Sequence, residues 1–243
     1  MHCEGRIEYV SCLKISTDNQ LKSFAATIDM PYTDGDQLLF KGVSGIYTTI
    51  FADVPVSSKT ITFNFVACTD NNGNNYSIVQ IGTLKSGVQT WMAENLNYQT
   101  GNSWCYDTNT SNCNTYGRLY DWQTALGACP SGWHLPSDAE WTALTDFLGG
   151  ESIAGGKMKE IGTAHWLSPN TEATNSSGFT ALPGGNRYFN GDFSSLAGSA
   201  YFWSLTENSS GDAWYLLLGS NYERVYRHYG DKSSGFSARC IKD

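Results

Sequence analysis

Tryptophan is confined to one part of this 243-residue chain: all eight lie at or after Trp91, and residues 1–68 contain none. The first part instead predicts short strands over residues 7–15, 37–41, 47–51 and 60–67, separated by turn-forming segments. Strands at this spacing are typical of a small β-sandwich. We therefore predict two domains, an all-β sandwich over residues 1–68 and a second domain over residues 69–243.

The second part predicts strands and helices together, which makes the fold class α+β. Asp70-Asn71-Asn72-Gly73-Asn74-Asn75 resembles a calcium loop only partly, because its twelfth position is Ile81, and we predict a turn. Strands follow at residues 76–81 and 89–92, and apolar stretches at 201–205, 213–218 and 236–241. Helices are predicted at 119–127 and 137–148, with a short one near 155–161. Ser137 and Glu140 form a capping box at the start of the second helix.

Composition narrows the partners and the compartment. The net charge is −8 with no cluster of Lys and Arg, so nucleic acid is not expected as a partner. No apolar run is long enough to span a bilayer. The 25 glycines and seven cysteines favour a loop-rich protein in an oxidising, extracellular setting. Residues 1–4 lack the features of a signal peptide, so if the protein is exported we expect either a processed form or an added Met at its start. Cys3 is either an ordinary thiol, the favoured interpretation, or a lipid-anchored cysteine.

The sequence gives little indication of catalysis. None of the four histidines is spaced to share a metal with another His or a Cys, so we expect neither metal nor cofactor. His134 is predicted to be a hydrogen-bonded core residue. The capping box accounts for the paired carboxylates Asp138 and Glu140. No nucleophile motif is visible, and we predict a protein that is not an enzyme, without catalytic residues.

The most informative segment runs from residue 213 to 232. Apolar positions such as Leu216 and Leu218 alternate there with Tyr, Asn, Ser, Arg, His and Gly, a composition typical of antibody-like binding surfaces. If residues 213–218 form a strand, the two leucines face the core and their neighbours face solvent or a ligand. The alternative is an ordinary hairpin with exposed polar residues. The predicted ligand-binding residues are Tyr215, Leu217, Gly219, Asn221, Tyr222, Arg224, Tyr226, His228, Tyr229 and Asp231.

Several long motifs resemble one known family. They are QTWMAENL at 89–96, GRLYDW at 117–122, CPSGWHLPSDAEW at 129–141, GF at 178–179, LPGG at 182–185, FWS at 202–204 and GFSARC at 235–240. In this order they resemble the Fibrobacter succinogenes major paralogous domain, common in surface proteins of Bacteroidetes, over about residues 70–243. The resemblance implies a C-type-lectin-like fold. It also implies a disulfide between Cys129 and Cys240, the places that such domains join.

The other cysteines are assigned from the residues. Cys105 and Cys113 lie close together in a turn-rich segment, which predicts a local bridge. Of Cys3, Cys12 and Cys68, we prefer a Cys12–Cys68 pair, and at least one thiol is then left over. The calcium-ligating tripeptides of sugar-binding lectins of this fold do not occur in the chain, which argues against calcium-dependent glycan binding.

Together these features predict a cell-surface ligand-binding protein, an adhesin or receptor-binding lipoprotein, with its binding surface at residues 215–231. The segment also resembles the variable region of a diversity-generating retroelement target, since its residue set is the one that adenine changes in an Asn codon produce. The expected partner is a protein or glycan on another cell or particle. The N-terminal domain is a candidate for docking pilus subunits by strand addition. The alternatives are a formylglycine-generating type of enzyme and a calcium-dependent lectin.

Overall fold

The computed structural model describes residues 9–11, 38–44, 46–54, 57, 64–83 and 87–243. Most described strands fall into two large sheets, and four short α-helices accompany them. The fold is therefore α+β, as the sequence predicts.

The first sheet has seven strands in the order β1-β2-β3-β4-β5-β15-β8. Neighbours are antiparallel except for the parallel pairs β1–β2 and β3–β4. The strands are β1 (Tyr9–Ser11), β2 (Leu38–Ser44), β3 (Tyr47–Asp53), β4 (Ile78–Thr83), β5 (Gly87–Met92), β8 (Trp133–His134) and β15 (Ile241–Lys242).

This sheet crosses the predicted boundary between residues 68 and 69. Thr49 of β3 is in register with Ile78 of β4, and the indole of Trp133 donates to the carbonyl of Ala67 at 2.9 Å. The described strands of residues 1–68 therefore continue the sheet of the second part, and among described residues they have no second layer of their own. The division into two domains stays a prediction.

The second sheet has six strands in the order β13-β12-β11-β14-β7-β6, and a separate pair joins β9 to β10. Strand β11 lies between antiparallel β12 and parallel β14, and β13 is an edge strand. The strands are β6 (Ser103–Trp104), β7 (Leu119–Tyr120), β9 (Asn186–Arg187), β10 (Phe193–Ser194), β11 (Ser199–Glu207), β12 (Asp212–Gly219), β13 (Tyr226–Asp231) and β14 (Phe236–Ser237).

The helices are α1 (Thr110–Tyr116), α2 (Trp122–Ala125), α3 (Asp138–Phe147) and α4 (Ala154–Met158), with a 3₁₀ turn at Tyr106–Thr108. The predicted capping box opens α3: the Glu140 amide donates to Ser137 Oγ at 3.2 Å, and the Ser137 amide donates to Glu140 Oε2 at 2.8 Å. Two of the four amides that the first turn leaves unpaired are satisfied in this way. The sequence therefore predicted this helix start correctly.

Helix α3 joins the two sheets through one buried aromatic cluster. Trp141 lies 4.7 Å from Trp91 of β5 and 5.9 Å from Phe202 of β11, between ring centroids. Phe179 packs edge-on against all three rings, and beside it the buried guanidinium of Arg239 donates to four oxygens. Burying a charge is tolerated when its hydrogen bonds are satisfied in this manner. Trp91 and Trp141 are therefore core residues.

A second core cluster lies on the other face of the six-stranded sheet. Trp203 packs 4.3 Å from Phe236 and donates through its indole to the carbonyl of Tyr120 at 2.8 Å. Trp122 and Trp133 are buried in the same cluster. The six-stranded sheet thus packs on both faces, and the large side chains of Tyr226 and Tyr229 on its edge strand β13 reach solvent.

Two disulfides brace the described part of the chain, and they are the two expected ones. Cys129 is bonded to Cys240, which lies 111 residues further along the chain, and Cys105 is bonded to Cys113. Cys68 carries a free, buried thiol, which contradicts the preferred Cys12–Cys68 bridge. Cys12 and Cys3 lie outside the described residues.

Some predicted elements differ from the structure. The helix predicted at 119–127 begins only at Trp122, because Leu119 and Tyr120 pair with β14 as strand β7. Of the strand predicted at 60–67, residues 60–63 lie outside the described part and 64–67 form no strand. Helix α1 was not predicted at all, since its sequence TSNCNTY has no apolar periodicity. The turn at 70–75 is confirmed by the Thr69–Asn75 bridge that closes it.

Candidate binding surface

The β12–β13 hairpin sorts the predicted ligand-binding residues onto two faces. Tyr215 is opposite His228, and Leu217 is opposite Tyr226. Residues directly opposite each other in an antiparallel pair share a face, so these four side chains lie together. The intervening Leu216 and Leu218 are buried, as the alternation predicts.

Four tyrosines, together with Arg224 and His228, form two groups of ring contacts on that face. Tyr215 lies 5.7 Å from Tyr201 and 5.9 Å from His228, measured between ring centroids. Tyr226 meets Tyr222 edge-on at 4.9 Å, and the Arg224 guanidinium lies 4.5 Å from the centre of the Tyr226 ring. We call this surface the tyrosine face; its members are Tyr201, Tyr215, Leu217, Tyr222, Arg224, Tyr226 and His228.

The phenol groups on this face are close enough to influence one another. Burial raises the pKa of Tyr215 to about 12, and the nearby phenols of Tyr201, Tyr188 and Tyr222 act in the same direction. Burial also raises the pKa of Tyr222, with Tyr226 and Tyr201 contributing. The hydroxyls of Tyr215 and Tyr222 therefore stay neutral at physiological pH, where each can donate and accept a hydrogen bond.

A rigid backing holds the tyrosine face in place. Tyr215 packs 4.7 Å from Phe236 of the second core cluster, and a Cβ at Gly230 would approach the Tyr215 ring to 3.2 Å. Gly230 thus leaves room for the ring beside the edge strand. Such backing keeps rotamers fixed before a ligand arrives, which lowers the entropy cost of binding.

The turn between β12 and β13 is fastened by a buried lysine. The ammonium group of Lys159 donates to the carbonyls of Gly219 at 3.0 Å, Tyr222 at 2.9 Å and Thr171 at 2.9 Å. Burial lowers the pKa of Lys159 to about 8. The side chain is fully buried beside α4, so it holds the base of the turn rather than facing a ligand.

Two predicted residues lie on the opposite face of the hairpin. By strand register Tyr229 is opposite Trp214 and Asp231 is opposite Asp212, which is the face away from Tyr226. The Tyr229 ring nevertheless stacks on the neighbouring His228 ring, with the centroids 5.0 Å apart. Because neighbouring residues of a strand point in opposite directions, Tyr229 does not share the face of Tyr226, and among the residues of the tyrosine face its ring contacts His228. Asp231 instead accepts hydrogen bonds from the amide and hydroxyl of Ser233.

The remaining predicted positions lie near the turn. Gly219 is buried rather than facing solvent, because the Tyr222 ring occupies the space a side chain would need. Asn221 is exposed at the turn. Sequence reasoning missed Tyr201, although it alternates with buried Phe202 and so shares the face of Trp203. It also missed Tyr188 on the β9–β10 hairpin, for which only the fold supplies the proximity to Tyr215.

Other candidate chemistry has structural explanations. His134 is half-exposed rather than in the core, and its two ring nitrogens contact Asp243 at 2.6 Å and Glu140 at 3.0 Å. Asp138 takes no part in the capping box and pairs with Arg227 instead. The described residues contain no group of three or more side chains suited to a metal ion.

The fold and this surface define a disulfide-braced α+β protein with a tyrosine-rich exposed face. A family model described as the Fibrobacter succinogenes major domain matches residues 84–242, so the chain belongs to that family. No curated protein matches the chain, and neither does any solved structure. Among the described helices, none combines the length and apolar content that crossing a membrane requires.

Proposed function

We propose that this chain is a ligand-binding protein of the adhesin or receptor-binding type, and that its ligand contacts the tyrosine face. The observation that carries the proposal is the cluster of phenols around Tyr215, held on a packed sheet at the margin of the protein. Tyrosine provides a large contact area at a low cost in side-chain entropy, and its hydroxyl adapts to polar partners.

The ligand is proposed to be a protein or glycan on another cell or particle. Both offer flat apolar patches beside hydrogen-bonding groups, which phenol rings and their hydroxyls recognise together. Arg224 and His228 add polar contacts at the rim of the same face. Binding energy is expected to concentrate in the aromatic and arginine residues, as in other interfaces.

The fold is proposed to be C-type-lectin-like, with residues 215–231 as a diversified segment. Support comes from the separation of roles within that segment. Leu216, Leu218 and Val225 are buried, whereas Asn221, Arg224 and Tyr226 are exposed. Substitutions at the exposed positions would leave the core packing unchanged, which a segment that varies between copies requires.

The protein is proposed to act at the bacterial cell surface, as a lipoprotein or at a pilus. Two disulfides in the described residues fit an oxidising compartment. Docking to pilus subunits would use strand addition in the N-terminal part, where β1 stands at the edge of the seven-stranded sheet as described.

The enzyme alternative is less well supported. A formylglycine-generating type of reaction needs reactive thiols, but Cys105, Cys113, Cys129 and Cys240 are in disulfides. Cys68 is buried, and burial together with the charges of Glu94 and Asp70 raises the pKa of its thiol. A thiolate is the reactive form, so this environment disfavours catalysis.

The test compares exposed residues of the tyrosine face with an exposed residue outside it. The triple variant Arg224→Ala, Tyr226→Ala, His228→Ala removes the exposed side chains of the tyrosine face, and Asn208→Ala, outside that face, is the control. Fluorescently labelled protein is applied to intact epithelial and bacterial cells and to arrays of glycans. We expect the triple variant to lose at least about tenfold in affinity with little change in Tm, and the control to bind like the parent protein. Equal binding by the triple variant would contradict the proposal.

A further inference from the structure

A polar cleft of about 290 Å³ opens on a part of the surface that shares no residue with the tyrosine face. It lies between the turn at 70–75, the segment after β5 and the C-terminal half of α1. Its volume is close to the lower end of the roughly 300–1,000 Å³ typical of small-molecule sites. Its polar lining residues are Asn74, Asn75, Tyr76, Glu94, Asn95, Asn97, Asn114 and Thr115.

The lining is dominated by side-chain amides. Each amide both donates and accepts, which suits a ligand that carries several neighbouring hydroxyls. The described lining contains no Lys, Arg or His and one carboxylate, Glu94. Anionic ligands such as phosphates would therefore find no cation here, and a lipid would leave the amides unpaired.

Several polar groups of the cleft make no hydrogen bond to another described residue. The main-chain amide of Asn97 donates to the Tyr76 hydroxyl at 3.0 Å, but its side-chain amide has no hydrogen-bond partner among the described residues. The side-chain amide of Asn114 likewise has no hydrogen-bond partner among the described residues. Glu94 uses Oε1 to accept from the Ser77 amide at 2.9 Å, and Oε2 has no described partner.

The walls of the cleft are braced independently of these groups. Asp70 fixes the turn by accepting from the amides of Asn72 at 2.8 Å and Asn74 at 3.0 Å, and from the hydroxyl of Tyr76 at 2.6 Å. The disulfide from Cys105 to Cys113 holds α1. The side-chain amide of Asn95 in the floor donates to the carbonyl of Tyr116 at 2.8 Å.

Gly117 allows the end of α1 to lie close to the segment of Asn95 and Leu96 that forms the floor of the cleft. Gly117 ends α1 with φ +75°, and a Cβ there would approach the carbonyl of Leu96 to 2.7 Å and the Asn95 Cβ to 2.8 Å. A larger residue would therefore force the two segments apart, and the left-handed backbone would add strain. The cleft is thus formed by fixed backbone, and the side-chain amides of Asn97 and Asn114 on its surface have no described hydrogen-bond partner.

We infer that this cleft binds a neutral saccharide of one or two rings, either free or as the end of a glycan chain. The amides of Asn97 and Asn114 would pair with vicinal hydroxyls, and the Glu94 carboxylate would accept from a further hydroxyl. This binding is independent of the tyrosine face, so either site can be present without the other.

The experiment is a titration of the isotope-labelled chain followed by amide chemical shifts. The probes are the methyl glycosides of glucose, galactose and mannose, and free N-acetylglucosamine, with glucuronate as the anionic control. We expect saturable shifts around residues 74–75, 94–97 and 113–117 with at least one neutral probe, at a Kd of millimolar order, and none with glucuronate. A parallel glycan array detects recognition of chain ends.

Variants assign the binding to the cleft. Asn97→Ala and Asn114→Ala should each weaken binding at least about fivefold without changing Tm, since neither amide has a described partner. Asn208→Ala, an exposed asparagine outside the cleft, and Tyr215→Ala on the tyrosine face should bind saccharide normally. Binding to free glycosides, or to chain ends alone, supports the inference when the cleft variants reduce it. The inference is overturned if neither assay detects a neutral saccharide, if the cleft variants bind unchanged, or if glucuronate binds equally well.

Discussion

Arg227 on the edge strand β13 makes a two-pronged ion pair with Asp138 in the first turn of α3, through Nε and Nη2 to the two carboxylate oxygens. The guanidinium also lies 4.3 Å from the centre of the Trp214 ring. The carboxylate is therefore placed at a helix N-terminus, which favours negative charge, and the cation fastens the edge strand to the helix. Arg227 points to the face of β13 opposite Tyr226 and His228, so the ion pair holds the strand from the face away from these two residues.

The pair predicts a measurable but small coupling. In a double-mutant cycle of Arg227→Ala and Asp138→Ala, we expect an interaction free energy of roughly 0.5–1 kcal/mol, because the pair is partly exposed. Urea denaturation at low and high salt measures it. The coupling should decrease as salt is added, and a value that is zero at low salt would show that the contact does not contribute.

The capping box predicts that a change at Ser137 lowers the stability of the protein without changing ligand binding. Ser137→Ala should lower the free energy of unfolding by about 1 kcal/mol, because the amide of Glu140 loses its acceptor. Chemical denaturation measures the change, and Thr142→Ala on the exposed side of the same helix is the control. Loss of ligand binding without loss of stability in Ser137→Ala would instead indicate a functional role.

The contacts of His134 predict a pH dependence of stability. Burial opposes the charged imidazolium, but hydrogen bonds and charges from Asp243 and Glu140 outweigh it and raise the pKa of His134 above its usual 6.5. Burial also opposes ionisation of Glu140, yet its bonds to Ser137 and His134 lower its pKa below the usual 4.5. The stabilisation from His134 is complete below the pKa that the histidine has in the unfolded chain, and it is lost as the pH rises through the pKa in the folded protein. The stabilisation from Glu140 is complete above the pKa of the unfolded chain, and it is lost as the pH falls through the pKa in the folded protein.

These contacts should therefore stabilise the fold most between about pH 4.5 and 6.5. Unfolding free energies measured by denaturant titration from pH 4 to 9 check this, with His134→Gln as the comparison. The difference between the parent protein and the variant should diminish above neutral pH. A difference that stays constant with pH would contradict the assignment.

The two disulfides should differ in their effect because they close loops of very different length. In the chain-entropy model, the separation of 111 residues between Cys129 and Cys240 corresponds to roughly 5 kcal/mol, and the separation of eight between Cys105 and Cys113 to roughly 2.5 kcal/mol. Replacing each pair by serines should reproduce that order in denaturant titrations. Peptide mapping without reduction checks the pairing itself, and a Cys105–Cys129 crosslink would contradict it.

The elements best predicted from the sequence were those with a local signal. Ser137 and Glu140 marked the start of α3, and the alternation around Leu216 and Leu218 correctly assigned them to the core. The helix expected from residue 119 started late because long-range pairing with β14 competes with local propensity. A local pattern cannot report such competition.

The binding surface was predictable only in part. Period-two alternation applied along β13 assigns Tyr229 to the face opposite Tyr226, although its ring stacks on the neighbouring His228 ring. Tyr188 is different, because its place beside Tyr215 depends on how the β9–β10 hairpin lies on the sheet. No spacing along the chain encodes that proximity.

Lys159 fastens the turn after β12 through carbonyl oxygens alone, at Gly219 and Tyr222 as well as at Thr171. Every amino acid has the same main-chain carbonyl, so these hydrogen bonds depend on the backbone conformation of the turn and not on the side chains that the turn exposes. The protein can therefore exchange exposed residues such as Asn221 and Arg224 while the turn keeps its shape. An engineer could graft new recognition sequences at these positions and leave the anchoring lysine untouched.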